Sequence, residues 1–389
     1  VCALQAANGK VTVGSEADEL LRRIEQVAER TIAPAAAAVD RLRTFPTESI
    51  EALGDVGALG LLVPAEHGGA GGGLPELAQA CETVGRACAS TGMVFLMHCV
   101  CAATIAGGGG ESADELLRAI ARERLLGTLA FSERGTGAHF YAPELTARRD
   151  GEQLRVSGHK SFVTSGGCAD LYLILLRTAG GDELDCYAVS GAAEGLSFKG
   201  AWEGLGMAGN SSVAMVLQDV ALGEDARIGA AGSGGALVFD VVAPTFLVGL
   251  AAVNIGIAAA AHGAATRHAA MPRYADGSSL ADVQSIQHTL AQMEITLRCA
   301  RGLVRDAAGA GAEAADDALI AIMSAKVAAC EAAERVTARA LEVCGGQGYT
   351  PALPVERHLR DARAGRVMAP TNAVLLSWIG RALAGLPVP

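Results

Sequence analysis

The sequence predicts an α+β chain that is mainly α, with an N-terminal helical domain, a small central β-barrel or sandwich, and a C-terminal bundle of long helices. Three observations lead there. Apolar residues recur at helical spacing in the first third and again in the last. Between about Leu129 and Val220 the period changes to short apolar runs separated by Gly-rich turns. No internal repeat is visible, so the order helices, strands, helices describes one architecture rather than an array. The expected divisions are residues 1–126, 127–232 and 233–389, with the two helical parts packing as one body.

Ser15 and Asp18 have capping-box spacing ahead of Leu20, Ile24 and Val27, which predicts a first helix stopping near Pro34. A second helix starts around Pro46 and carries Ile50 and Leu53. The stretch GLLVPAEHGGAGGGLP is loop. Further helices are expected from Leu77 to about Ala106, ending at the four glycines 107–110, and from Ser112 to Glu123. In ELTARRDGEQLRVSG two alternating segments flank Asp150-Gly151, a hairpin signal. LYLILL, CYAVS and SVAMVLQDV read as further strands. The loop GAAGSGG then gives way to a helix from about Thr245 to Ala270. Ser279 and Asp282 cap the next one, whose expected buried stripe is Leu280, Val283, Ile286, Leu290, Met293 and Leu297. A third long helix runs from Ala314 to about Val343 and ends at Gly345-Gly346. A last helix follows Thr371.

Composition excludes some functions. The chain of 389 residues carries a net charge of −11 with 4% aromatic residues, so neither a phosphate-binding face nor a base-stacking surface is expected, and no nucleic-acid partner. Ten cysteines are scattered without a CxxC pair, which predicts buried reduced thiols in a cytoplasmic protein and no metal. No basic segment followed by an apolar run suggests a signal peptide. FLVGLAAVNIGIAAAA, Phe246 to Ala261, contains Asn254 and is shorter than the ~20 residues a bilayer span requires. It is expected as a buried bundle helix, not a membrane span.

Five stretches carry a resemblance. GLLVPAEHGGAG (60–71), LAFSERGTGAHF (129–140), VSGHKSFVTSGGCAD (156–170), RYADGSSLADVQSIQHTLAQM (273–293) and CGGQGYTPALPVERHLRDAR (344–363) together resemble the acyl-CoA dehydrogenase superfamily, in order, from about Phe45 to Leu386. The resemblance implies an FAD-dependent oxidoreductase. It puts Phe131, Ser132, Phe162 and Thr164 beside the isoalloxazine, with Phe162 where a tryptophan is common. That agrees with the chemistry, because a flavin needs an apolar wall and a few donors to its polar edge. Arg273, Gln284, Gly345 and Gly346 would reach FAD held mainly by a neighbouring subunit, and Thr371 would also contact the cofactor. A homo-oligomer, tetramer or dimer, is therefore expected. Asp276 stands where the family usually has an aromatic residue, and Ala138 where a serine is common.

The family removes an α-proton with a carboxylate, usually a glutamate followed by Gly-Thr. Here the end of the chain reads RDARAGRVMAPTNAV, and Ala369-Pro370 precede Thr371, so the glutamate is missing. The residue before a proline is biased away from helix, which predicts an extended or turning segment at Ala369. A minority of the family carries its base near the start of the helix after the β domain, but Val242 and Ala243 stand there. Asp240 lies two residues away, on another face. His139 is the most chemically able substitute, with Asp240 and Asp361 as others, although a hydrogen-bonded structural histidine is its more ordinary reading. Asp361 is expected to pair with Arg360 or Arg363 or to cap a turn. Three functions follow as expectations: an oxidoreductase acting on an acyl thioester with a non-standard base, a flavin-dependent monooxygenase on the same fold, and a non-catalytic partner subunit. The first two imply an electron-transfer partner or a flavin reductase.

Overall fold

The structure is a computed structural model and describes residues 13–151, 153–178, 181, 183–272 and 274–388. Three layers follow one another along the chain. Helices α1 (Val13–Val27), α2 (Ala33–Leu42), α3 (Thr47–Asp55), α4 (Leu74–Ala87), α5 (Ala89–Gly108) and α6 (Glu111–Glu123) come first. Strands β1 (Gly127–Ala130), β2 (Ala147–Asp150), β3 (Gln153–Val163), β4 (Leu171–Arg177), β5 (Leu184–Ser190), β6 (Leu196–Lys199), β7 (Val213–Leu222) and β8 (Arg227–Ile228) form the centre. Then come a single turn α7 (Gly234–Ala236) and helices α8 (Ala243–Ala270), α9 (Gln284–Ala312), α10 (Ala318–Gly348), α11 (Val355–Val367) and α12 (Asn372–Leu383). The predicted fold class holds.

The centre is two four-stranded sheets, ordered β1-β4-β5-β8 and β2-β3-β7-β6. The Asp150-Gly151 hairpin is present: β2 pairs antiparallel with β3, and Gly151 has φ +63°. In the first sheet β1 pairs parallel with β4, with Leu129 opposite Leu173. Strand β4 is buried on both faces, which explains why its sequence is a continuous apolar run rather than an alternating one.

Helix α8 is the axis on which both helical parts pack. Its residues from Leu247 to Ala258 are buried without interruption, and α4, α5, α9, α10 and α11 lie against it. α5 and the helical run from Gly234 to Ala270 are both long and apolar enough to cross a bilayer, and both are mostly buried inside the protein. Gly365 allows α11 to come close to α8, because a Cβ there would sit 2.5 Å from the Asn254 amide nitrogen.

Several expectations are corrected. The first helix does not stop at Pro34. A π-helical segment, Ala28–Ile32, widens the turn before the proline, and α2 restarts with Pro34 in its first turn, where a missing N–H costs nothing. α1 begins at Val13, ahead of the expected Ser15 cap, and the Ser15 side chain lies outside the described residues. The expected helix from Leu77 to Ala106 is two helices, broken at the extended Cys88. The Ser279–Asp282 box is formed but caps a short 3-10 turn, and Val283 sits outside α9 and is 40% exposed. Cys168 and Cys299 are exposed, while the other seven described cysteines are buried thiols. Strands β1, β6 and β8 and helix α11 were not anticipated.

A buried histidine joins the first two layers. His98 on α5 donates from Nε2 to the Leu59 carbonyl at 2.8 Å and accepts the Gly127 N–H at Nδ1. Acceptance at Nδ1 needs the neutral ring, and burial pushes its pKa down to about 4. Burial likewise holds His358 down at about 3. A depressed histidine pKa means the unfolded chain binds more protons, so this stability is complete above pH 6.5 and is lost as pH falls towards 4. For His98 alone the loss is about 3 kcal/mol. Buried Asp361, pushed up to about 6, acts in the opposite sense and offsets part of it. Urea midpoints measured from pH 6.5 down to 4 are expected to fall in wild type and to fall less in His98→Gln, which keeps one donor and one acceptor. Parallel slopes would contradict the assignment.

Candidate functional site

The site is built where the ends of β1 and β3 meet. The Ser161 N–H donates to the Ser132 carbonyl at 2.8 Å, and Thr128 Oγ1 donates to the Thr164 carbonyl at 3.0 Å. These bonds bring Phe131, Ser132, Phe162 and Thr164 into one cluster. Beneath it lies a buried ion pair. Lys160 Nζ donates to Glu133 Oε1 at 2.6 Å and to the Leu175 carbonyl at 2.8 Å, while Glu133 Oε2 accepts the Glu144 and Leu145 N–H groups. Burial pushes the Lys160 pKa down, partly countered by Glu133. The pair fixes both ends of the loop that carries Ser132 and His139.

Phe162 is 71% exposed and has φ +54°, a left-handed conformation that a phenylalanine rarely adopts. Its ring meets Trp202 edge-on with centroids 6.4 Å apart. Its side chain is thus held in the open on a backbone conformation that costs energy. Next to it, Thr164 Oγ1 and Ser212 Oγ lie 3.1 Å apart. Among the described residues, the neighbouring Ser165 Oγ and both amide atoms of Asn210 are buried without a hydrogen-bond partner.

Loop 202–212 connects this cluster to the C-terminal bundle. The Trp202 indole N–H donates to the Met207 carbonyl at 2.9 Å, and the Met207 N–H donates to Asp361 Oδ1 at 2.6 Å. Asp361 therefore does not pair with Arg360 or Arg363; it holds the N–H of the residue that opens the Met207–Asn210 turn, the capping role that the sequence also allowed. It is buried and pins the loop. Arg360 instead bonds Asp40 on α2, Glu356 and the Leu205 carbonyl, and Arg363 bonds Glu334. Gly206 is required here, because a Cβ would lie 2.5 Å from the carbonyl carbon and oxygen of Arg360. An alanine at 206 is expected to push the loop off α11 and cost about 1–3 kcal/mol, readable as a lowered urea midpoint.

α11 leads into a bend at Met368–Pro370, where Ala369 is half-buried, followed by Thr371 as the N-cap of α12 with its Oγ1 accepting the Val374 N–H. The extended or turning segment predicted at Ala369 is present. Lys326 and Asn372, which the sequence reading missed, hold it from below. Lys326 Nζ donates to the Pro370 carbonyl at 3.0 Å and to Asn372 Oδ1 at 2.9 Å.

Other predicted residues lie apart. His139 is exposed and stands edge-on to Tyr141 at 5.6 Å, and Tyr141 packs against Phe239 and Trp378. Asp240 is exposed and Val242 is buried. Gln284 starts α9 and is exposed; Gly345 (φ +56°) and Gly346 form an exposed kink late in α10. No hydrogen bond joins these three to the Phe162 cluster among the described residues. Asp276, in the place of the aromatic, accepts the Ser278 N–H and hydroxyl and shapes a turn. Arg273 lies outside the described residues. Among the described residues no cluster could hold a metal ion.

The same three-layer order recurs in known proteins. The chain matches the acyl-CoA dehydrogenase N-terminal domain over residues 14–124, the middle domain over 128–220 and the C-terminal domain over 248–384. It is 32% identical over 365 residues to cyclohexane-1-carbonyl-CoA dehydrogenase of Geobacter metallireducens, covering 92% of this chain and 94% of the relative. The chain belongs to the acyl-CoA dehydrogenase family. Another relative, the short-chain-specific acyl-CoA dehydrogenase of Clostridium acetobutylicum, is 30% identical over 368 residues, 92% of this chain and 95% of that one. Among solved structures, butyryl-CoA dehydrogenase from Megasphaera elsdenii superposes with a TM-score of 0.89 at 26% identity, covering 97% of this chain and all of that one. As a member of the family the protein is an enzyme, a flavoprotein oxidoreductase.

Proposed function

We propose that this family member binds FAD against Phe162 and oxidises or oxygenates its substrate without a carboxylate at position 369. The observation that carries the reading is the exposed Phe162 ring on its strained backbone, beside the buried unpaired atoms of Ser165 and Asn210. A planar ring with a polar edge fits such a wall: the phenyl covers its face, and Ser132, Thr164 and Ser212 offer hydroxyls to its rim. Thr371 is proposed as a further contact. When bound, FAD supplies two-electron oxidation. Arg273, Gln284 and the Gly345-Gly346 turn are proposed to serve the cofactor of a second subunit in a homotetramer or homodimer. Their separation from the Phe162 cluster and the exposed apolar Ile295 and Leu303 on α9 support that assembly.

The substrate proposed is an acyl-CoA thioester, as the names of the relatives indicate for those proteins. With Ala369 and Val242-Ala243 at the two places where a base would stand, the α-proton must leave to another group. His139, carried on the loop that Glu133 fixes, is proposed as that group, although it stands apart from the Phe162 cluster. The same bare positions favour a second reading, a flavin-dependent monooxygenase, whose chemistry needs no α-proton base. A non-catalytic partner subunit is the third, and the preformed Phe162 wall argues against it. Electrons would pass to or from an electron-transfer partner or a flavin reductase, and the buried thiols suit the cytoplasm.

The purified protein is expected to be yellow and to release FAD on denaturation. Phe162→Ala is expected to weaken FAD binding by about tenfold, from loss of an aromatic stack worth about 1.5 kcal/mol. A colourless protein that takes up no added FAD would overturn the cofactor assignment.

A further inference from the structure

We propose that Lys326 is a positioning residue for the candidate site, holding the turn 368–372 that carries Ala369 and Thr371. The proposal rests on the site reading above. Lys326 is wholly buried on α10, and its ammonium contacts three neutral oxygens: the Pro370 carbonyl at 3.0 Å, Asn372 Oδ1 at 2.9 Å and, more distantly, the Met368 carbonyl at 3.5 Å. Among the described residues no carboxylate lies within ion-pair distance of it. A buried ammonium without a counter-charge is costly, burial lowers the Lys326 pKa, and its hydrogen bonds to these oxygens are what offsets that cost.

Beyond the core packing of Met368 and Ala369, the backbone ties the turn only at its two ends, where the Met368 N–H bonds the Ala364 carbonyl and the Leu375 N–H bonds the Thr371 carbonyl. Among the described residues, the Ala369 and Thr371 N–H groups donate to nothing and Pro370 has no N–H. Thr371 spends its hydroxyl on the first turn of α12. Asn372, buried as well, returns its amide to the Val327 carbonyl on α10, one residue after the lysine. Lys326 and Asn372 thus form a two-residue clamp between α10 and the turn. Held from below, the turn offers one fixed surface at Ala369 and Thr371. Released, it would shift on its two flanking helices, and a displacement of about 1 Å at a reacting centre can cost about 10²-fold.

The test compares wild type, Lys326→Met, Lys326→Arg and Val336→Ala, the last a buried deletion elsewhere on α10 that reports what lost stability alone does. Two readouts are taken on the full chain: hydrogen exchange of residues 364–376, and the dissociation constant of butyryl-CoA from its perturbation of the flavin spectrum. Lys326→Met is expected to speed exchange in that segment by about tenfold relative to the rest of the chain. It should also weaken or abolish the spectral response, with partial recovery in Lys326→Arg, while Val336→Ala changes neither selectively. Exchange that rises equally throughout the molecule, or equally in Val336→Ala, would make Lys326 a core residue only and overturn the proposal. If wild type itself gives no spectral response, butyryl-CoA is not its ligand, and the exchange comparison still decides the role of Lys326.

Discussion

Lys160→Met destabilises the protein by about 3–5 kcal/mol, the cost of leaving one partner of a buried ion pair uncompensated. The lysine is completely buried, its Glu133 partner is 8% exposed, and the pair joins β3 to the loop after β1. Removing the ammonium strands the Glu133 carboxylate, which still accepts two backbone N–H groups, and frees the Leu175 carbonyl. Because the loop carries Phe131 and Ser132, FAD affinity should fall together with the urea midpoint. A loss under about 1 kcal/mol, the range of surface pairs, would show that the pair is hydrated and holds nothing.

Ala369→Glu raises dehydrogenation of an acyl-CoA by about 10²–10⁴-fold, the usual contribution of a general base. The position lies in the half-buried bend before α12, above the Lys326 cation, which would favour an ionised carboxylate there. The rate of flavin bleaching under anaerobic conditions measures it. A folded, FAD-loaded variant with no gain means that more than the base is missing, and the monooxygenase reading then stands ahead. Pro370, in the place of the family's glycine, is the residue that would produce that outcome.

Much of the fold was legible because its signals are local. Asp150-Gly151 announced the hairpin, and the continuous apolar run of β4 announced a buried strand. Helix α11 was not legible, since the residues it buries are Val355, His358, Asp361, Ala362 and Gly365, and no apolar stripe marks that face. Pro34 misled for a different reason: the π-helical turn that absorbs it has no sequence signature. The Phe131–Thr164 half of the proposed site was named from resemblance. Lys326 could not be read, because its partners lie more than forty residues away on another element. Its one visible mark was a lone lysine among alanines and other small residues in the middle of a helix buried on several sides.

The central claim is tested most directly by anaerobic titration of the FAD-loaded protein with acyl-CoAs, from butyryl to longer and cyclic acyl groups, following the flavin absorbance. The account predicts that at least one of them bleaches the flavin. No bleaching by any, with rapid oxygen uptake by the externally reduced enzyme and a hydroxylated product, would contradict acyl-CoA dehydrogenation.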